Sequence, residues 1–435
     1  MIKKLSITTF LLALSFGFYY LYVRLPIING YAAKNMCSCI FVSDRTQELV
    51  ENHELNFSFL KYTTHQIDTI NKTVTSSFFG FRSRIAYYNP NLGCALVNNS
   101  ENVENFKALH FDKDEITYNS NTGLNTNLKN KNTKLNQIVQ SHIENEDANT
   151  TALLVIHNDN LVAEKYNKGF TENSLFLGWS MAKSIMNTLV GILVKEKKIT
   201  LDSPIDEPTW QNDERKNITW NNVLQMSTGL KWEENYGAIS DVTKMLYTQD
   251  DVYQIAVKNK LEFPVGSHYE YSSGSSNILA GQIKKQFSTQ EAYLKFPYQK
   301  LFSKLGMKSM LLETDPSGTF VGSSYAWATA KDWAKYGLLY LHNGAYNGEQ
   351  ILPTDWTKYT ATPAEKSHGR YGAQFWLHTK FEFPDVASDL YFADGFQGQR
   401  VFILPSENLV VVRFGLASKT DVDFNSLLKE IVNAL

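Results

Sequence analysis

Two hairpins at opposite ends of the C-terminal two thirds of the chain constrain its fold more than any other feature. Residues 152–157 and 161–166 are β-rich runs around the turn Asn158-Asp159-Asn160. Residues 400–404 and 409–414 flank a second turn, Pro405-Ser406-Glu407-Asn408. Runs of this kind, bounded by Asn, Asp and Pro, read as antiparallel pairs. Helical periodicity lies outside both. Leu135, Ile138, Val139 and Ile143 recur on one face before the first hairpin, and an amphipathic stretch covers about 423–434 after the second. The order is helix, hairpin, large and mostly helical insert, hairpin, helix. It predicts an α+β fold in which strands from both ends form one antiparallel sheet and the terminal helices pack on one face.

Composition fits a globular protein with a large core: 435 residues, 43% hydrophobic and 20% charged. A formal net charge of −2 leaves no electrostatic footprint for nucleic acid. At residues 118–134 the composition shifts to Asn, Thr, Ser and Lys with Gly123, and the cluster from Lys129 to Lys134 reads as solvated linker. The expected division is therefore 1–35, 36–117, the linker 118–134, and a domain at 135–435. Residues 36–117 are mixed and aromatic-rich, with strand-like runs at 84–88 and 94–97 and no chemical motif.

Residues 1–35 read as a membrane anchor. Lys3 and Lys4 precede the uncharged residues 5–23, and Arg24 closes the stretch. About 20 apolar residues suffice to cross a bilayer. Tyr31-Ala32-Ala33 puts tyrosine where a signal-peptide cleavage site needs a small residue. Asn35 and Met36 before Cys37 do not fit a lipoprotein site. The expectation is an uncleaved helix with a cytoplasmic start and everything beyond it extracytoplasmic, periplasmic or cell-surface. That location permits Cys94 to pair with Cys37 or Cys39, with free buried thiols equally open. The three cysteines lack a second cluster that would supply four metal ligands.

Chemistry enters at Gly178-Trp179-Ser180-Met181-Ala182-Lys183-Ser184, the start of an apolar helix. Residues three apart on a helix are neighbours. A desolvated lysine amine there can take the serine proton, and the helix N-terminus favours a developing oxyanion. Further on, Phe263-Pro264-Val265-Gly266 leads to Tyr271-Ser272-Ser273 and another helix start at Asn277. A phenol beside an ammonium is stabilised as phenolate, which makes Tyr271 a candidate base near neutral pH. The glycines of Ala393-Asp394-Gly395-Phe396-Gln397-Gly398-Gln399, Gly395 among them, permit close backbone approach, so this late strand is where a second oxyanion donor is sought. A rival reading takes Gly178-Trp179-Ser180-Met181-Ala182 as a near match to a nucleophile elbow, which needs a histidine base such as His268 or His368. No alternating strand–helix series surrounds it.

Together, Ser180-x-x-Lys183, Tyr271-x-Ser273 and the late Gly395 strand resemble serine β-lactamases and penicillin-binding proteins, the class C-related branch above all. Residues 218–230 (Ile-Thr-Trp-Asn-Asn-Val-Leu-Gln-Met-Ser-Thr-Gly-Leu) and 328–341 are similar to further stretches of that branch. With Asp394-Gly395-Phe396-Gln397-Gly398-Gln399 they point to its nylon-oligomer (6-aminohexanoate-dimer) hydrolase and esterase subgroup. The resemblance spans about residues 134–435. It implies a β-lactamase/transpeptidase-like fold with Ser180 as nucleophile, Lys183 as proton acceptor and Tyr271 as proton shuttle. Ser273 would close the tyrosine motif, and the N–H groups of Ser180 and Phe396 would form the oxyanion hole beside Gly395. It implies neither cofactor nor metal. One departure matters. The late motif is normally Lys-Thr-Gly or His-x-Gly, and the cation holds a substrate carboxylate, whereas here the residues are Ala393-Asp394-Gly395. The expected activity is therefore hydrolysis of a neutral or cationic amide or ester through an acyl-enzyme. The alternatives are a penicillin-binding protein or β-lactamase, and a non-catalytic protein that binds cell-wall peptide.

Overall fold

In the structure, a computed structural model describing residues 2–120, 123–126, 132–416 and 422–435, the two hairpins meet. Strand Leu409–Gly415 pairs antiparallel with Thr150–His157. The resulting six-stranded sheet runs in the order Trp376–Leu377, Tyr391–Gly395, Gln399–Leu404, Leu409–Gly415, Thr150–His157, Asn160–Tyr166. Side chains alternate between the two faces of a strand, and here both faces are covered. Leu153, Val155 and Val411 pack with Leu135, Val139, Leu427 and Ile431 of the two terminal helices, Thr133–Glu144 and Phe424–Val432. Leu154, Ile156, Val410 and Val412 point the other way, into the core shared with the helical insert. Burial on both sides explains why these strands read as near-continuous apolar runs. The Asn132 and Asp423 side chains cap the terminal helices by accepting from Leu135 N and Ser426 N.

Helix Ala330–Leu341 lies directly on the inner face of the sheet. A Cβ on its Gly337 would come within 2.6 Å of Val410. Beside it run Met181–Lys195, whose first thirteen residues are all buried, and Ser273–Lys284. The shape is the β-lactamase/transpeptidase-like α+β arrangement that the sequence predicts.

Residues 25–96 share a core with this half of the molecule. Helix Leu25–Phe41 packs on the four-stranded antiparallel sheet formed by Thr63–Asp68, Thr73–Phe78, Phe81–Asn89 and Gly93–Leu96. Met36, Cys37, Val74 and Leu96 belong to one apolar cluster with Trp179, Tyr247, Tyr325 and Trp327. Of the pairings left open by the sequence, Cys37–Cys94 forms, and Cys39 stays a buried thiol. A buried ion pair reinforces the junction. Glu313 accepts from Lys34 Nζ (2.7 Å), Ser38 Oγ (2.8 Å), Cys94 N (2.7 Å) and Trp327 Nε1 (2.8 Å). Of the 118–134 stretch, residues 121–122 and 127–131, Lys129 among them, lie outside the described residues.

Helix Ile2–Tyr22 precedes this body, with Leu11, Leu12, Phe16, Phe18 and Tyr19 exposed. The N-terminal helical stretch is long and apolar enough to cross a membrane. Leu25-Pro26 begins the next helix, where proline at the first turn sacrifices no hydrogen bond.

Removing one partner of a buried ion pair strands the other charge, at roughly 3–5 kcal/mol. Lys34→Met should therefore lower the urea midpoint of the folded chain by an amount equivalent to about 3–5 kcal/mol. An unchanged midpoint would show that the Lys34–Glu313 pair is not buried in solution.

Candidate active site

Strand Phe176–Leu177 delivers the chain to Gly178-Trp179-Ser180, and the turn there is forced. Trp179 sits at φ +47°, the left-handed region that non-glycine residues rarely occupy. Such a backbone costs about 1–3 kcal/mol and persists where packing over-determines it. The packing is aromatic: the Trp179 ring stacks on Tyr31 (5.9 Å) and meets Phe396 edge-on (5.7 Å). Ser180 then caps helix Met181–Lys195 and stays partly exposed to a cleft of about 470 Å³. Strand Tyr391–Gly395 presses against the same turn. A Cβ on Gly395 would fall 2.2 Å from the Gly178 carbonyl oxygen, so the position demands glycine. Phe396 follows at once and is half exposed in the cleft wall.

Lys183 is 1% exposed. Its Nζ lies 3.0 Å from Ser180 Oγ, 3.0 Å from Ser273 Oγ and 3.1 Å from the Ser323 carbonyl oxygen. Burial brings its pKa down to about 8, and the carboxylate of Glu234 holds it from falling further. A neutral amine has two N–H groups and one lone pair. Donation to Ser273 Oγ and Ser323 O leaves the lone pair for the Ser180 hydroxyl. Ser273 in turn donates to Glu234 Oε1 at 2.5 Å, so the chain Lys183–Ser273–Glu234 is satisfied at every link.

Tyr271 stands beside the pair, its ring 4.9 Å from Lys183 Nζ and packed between Tyr371 (5.7 Å) and Trp376 (5.5 Å). The expected phenolate is overturned. Burial, followed by the nearby Glu234 charge, pushes Tyr271 well above the ordinary phenol range, and a hydrogen bond with Ser180 only partly opposes them. At neutral pH Tyr271 is a phenol, able to donate and accept but carrying no charge. Burial of the phenol outweighs whatever the neighbouring amine contributes.

Glu234 was not anticipated. It accepts from Ser273 N (2.9 Å), Ser273 Oγ, Trp232 Nε1 (2.5 Å) and Tyr236 Oη (3.0 Å). The only signal in the sequence is an acid between aromatics, Trp232-Glu233-Glu234-Asn235-Tyr236. Asp394 also differs from expectation. It pairs with Arg400, its direct neighbour across the sheet, and both are buried. The acid in the cleft wall is thus neutralised in place.

The histidines of the rival reading lie elsewhere. His268 stacks on Phe263 at 4.1 Å and faces Glu270, and His368 is exposed in a loop. With an antiparallel sheet and Lys183 as the neighbour of Ser180, the nucleophile-elbow arrangement is absent from the described residues.

An antiparallel sheet between helical layers, with serine and lysine one turn apart at the mouth of a buried helix, defines a class: serine hydrolases of the β-lactamase and penicillin-binding-protein type. Residues 135–433 match the Beta-lactamase family, and the chain belongs to it. It is similar to the 6-aminohexanoate-dimer hydrolase of Paenarthrobacter ureafaciens, 23% identical over 64% of this chain and 75% of that protein. A Bacillus anthracis structure carrying the same hydrolase name superposes with a TM-score of 0.62, at 22% identity over 74% of this chain and 89% of that one. A penicillin-binding protein from Bacillus halodurans shares the fold with a TM-score of 0.54, at 15% identity over 67% of this chain and 99% of that one.

Because Glu234 holds the Lys183 pKa up, Glu234→Gln should lower it further while keeping an acceptor for Ser273. The rate of inactivation by a fluorophosphonate, followed against pH, reads this as an acid limb displaced to lower pH. A limb that stays in place would remove Glu234 from the electrostatics of the site.

Proposed function

We propose that this chain is a membrane-anchored extracytoplasmic hydrolase that cleaves an amide or ester through an acyl-enzyme on Ser180. One observation carries the reading: a fully buried Lys183 amine, with its pKa brought to about 8, 3.0 Å from the Ser180 hydroxyl. Ser180 Oγ attacks the carbonyl carbon as its proton passes to Lys183. The N–H groups of Ser180 and Phe396 receive the oxyanion, with the helix N-terminus adding partial positive charge. As the tetrahedral centre collapses, the bond to the leaving amine or alcohol breaks. The proton travels from Lys183 through the Tyr271 phenol to the departing atom. Water then attacks the acyl carbon, yields its proton to Lys183, and the carboxylic acid leaves as Ser180 regains its hydrogen.

The late strand of the cleft offers a substrate no unpaired charge. Arg400 cancels Asp394, and no lysine or histidine stands at residues 393–395 to grip a carboxylate. That argues against penicillin or a peptide C-terminus. The names of the relatives, 6-aminohexanoate-dimer hydrolases, point to amides. Anchoring rests on helix Ile2–Tyr22, its exposed apolar side chains and the lysines at its start.

A fluorophosphonate should label the full chain, and Ser180→Ala should abolish the labelling. Nitrocefin turnover should stay at background. A folded, unlabelled wild-type chain would favour the binding-only alternative. In the wild type, the neutral fraction of Lys183 grows as pH rises through about 8. Ester hydrolysis (kcat/KM) should therefore climb through that value and level off above it, an apparent pKa that belongs to the coupled site. A flat profile from neutral to alkaline pH would remove Lys183 as proton acceptor.

A further inference from the structure

The cleft over Ser180 is walled largely by the segment that emerges from the proposed anchor. Tyr20 and Arg24, at the end of helix Ile2–Tyr22, line it together with Ile27, Ile28, Phe59 and Leu60. Its charged wall residues are Arg24 and Asp394. Asp394 is paired with Arg400, and the Arg24 guanidinium lies 3.4 Å over the Tyr20 ring while donating to the Tyr20 carbonyl oxygen. What remains is a largely apolar channel leading to Ser180, with the Arg24 guanidinium held against the Tyr20 ring as a charge in its wall.

The mouth of this channel carries a second set of features. The hairpin tip between Thr73–Phe78 and Phe81–Asn89 presents Phe79, 67% exposed, and Phe81, 49% exposed. It is fastened to the helix junction: Phe81 meets Phe18 edge-on at 6.1 Å, Arg82 lies over the Tyr22 ring at 4.9 Å, and Asn29 Nδ2 donates to the Phe81 and Arg82 carbonyls. Phe59 and Tyr62, each about half exposed, continue the rim. Aromatic and basic side chains gathered at the end of an apolar helix are the signature of a bilayer–water interface. Nothing in the soluble chemistry of the site calls for exposed phenylalanines on a hairpin fixed to that helix.

We propose that the substrate is a membrane-borne amphiphile, an ester or amide of a long apolar acyl chain. The chain lies along Ile27, Ile28, Phe59 and Leu60, and the aromatic hairpin tip seats in the interface so that the acyl chain passes from bilayer to cleft. This rests on the acyl-enzyme reading above and names its substrate class. The covalent step is the same: the acyl carbon bonds to Ser180 Oγ, the polar alcohol or amine leaves with the proton, and water releases the fatty acid.

The test uses the full chain reconstituted in dioleoylphosphatidylcholine vesicles, with p-nitrophenyl acetate, butyrate, octanoate and laurate. Each methylene removed from water favours the complex by up to about fourfold, a ceiling of about 4,000-fold for the six that separate acetate from octanoate, and burial of only a fraction of that surface should still raise kcat/KM by about tenfold. Ile28→Glu should flatten that gradient, and Phe79→Ser with Phe81→Ser should reduce the laurate-to-acetate ratio for vesicle-borne substrate. Fluorophosphonate labelling of each variant establishes that it is folded. A flat or falling gradient in an enzyme that turns over acetate through Ser180 overturns this inference and leaves the hydrolase intact. Absence of any Ser180-dependent turnover overturns the hydrolase reading, and this one with it.

Discussion

Desolvation of one amine organises the catalytic half of the molecule. A buried lysine is uncomfortable as an ammonium, and the chain keeps Lys183 in place with oxygens from its own helix start and from two distant segments. Ser180 comes from the same helix, Ser273 from the start of a second helix, and Ser323 from the loop before Ala326–Ala328. All three oxygens belong to uncharged groups. The nearest carboxylate, Glu234, reaches the amine only through Ser273. A carboxylate bonded directly to Lys183 would lock it as a cation, and no acceptor at all would leave its N–H groups unsatisfied. The interposed serine avoids both, and burial, partly opposed by the Glu234 charge, brings the pKa to about 8 from the ordinary lysine range.

The geometry of Ser180 depends in turn on the N-terminal region. The left-handed Trp179 is held by a stack that begins at Tyr31 of helix Leu25–Phe41 and ends at Phe396 beyond the last strand of the cleft. That helix is tied by Cys37–Cys94 and by the Lys34–Glu313 pair, whose acid lies next to the Leu311–Leu312 strand of the catalytic half. Residues 25–96 therefore reach Ser180 through packed rings, and they furnish much of the cleft wall.

What was legible in the sequence was local. The hairpins, the terminal helices and the Ser180 helix all announce themselves through short-period patterns and turn residues, and the sheet followed from their order. Ser180 and Lys183 are one helical turn apart, so spacing makes them neighbours, whereas Gly395 and Phe396 join them only through the family resemblance. Glu234, Arg400 and Glu313 escaped because their partners are set by tertiary contact. Lys34 and Glu313 are 279 residues apart, and no periodicity encodes that distance. The Tyr271 phenolate failed for a related reason. A neighbouring charge can be read from a motif, whereas the depth of burial that opposes it belongs to the assembled core.

The Asp394–Arg400 pair shows how one substitution in a motif changes a site. At the late strand a lone cation would attract a carboxylate, and a lone acid would attract an amine. Placed opposite each other in an antiparallel register, the two charges satisfy one another inside the sheet. A buried pair of this kind adds little net stability, so its effect is felt in the cleft wall, where the late strand presents no unpaired charge. With ionic recognition removed at that strand, discrimination falls to shape and apolar contact. The walls best placed to supply those come from residues 20–60, the part of the chain that follows directly from the N-terminal helix. Substrate choice and the N-terminal segment are therefore physically one problem, because the same side chains, Ile27 and Ile28 among them, border the nucleophile and continue the helix junction.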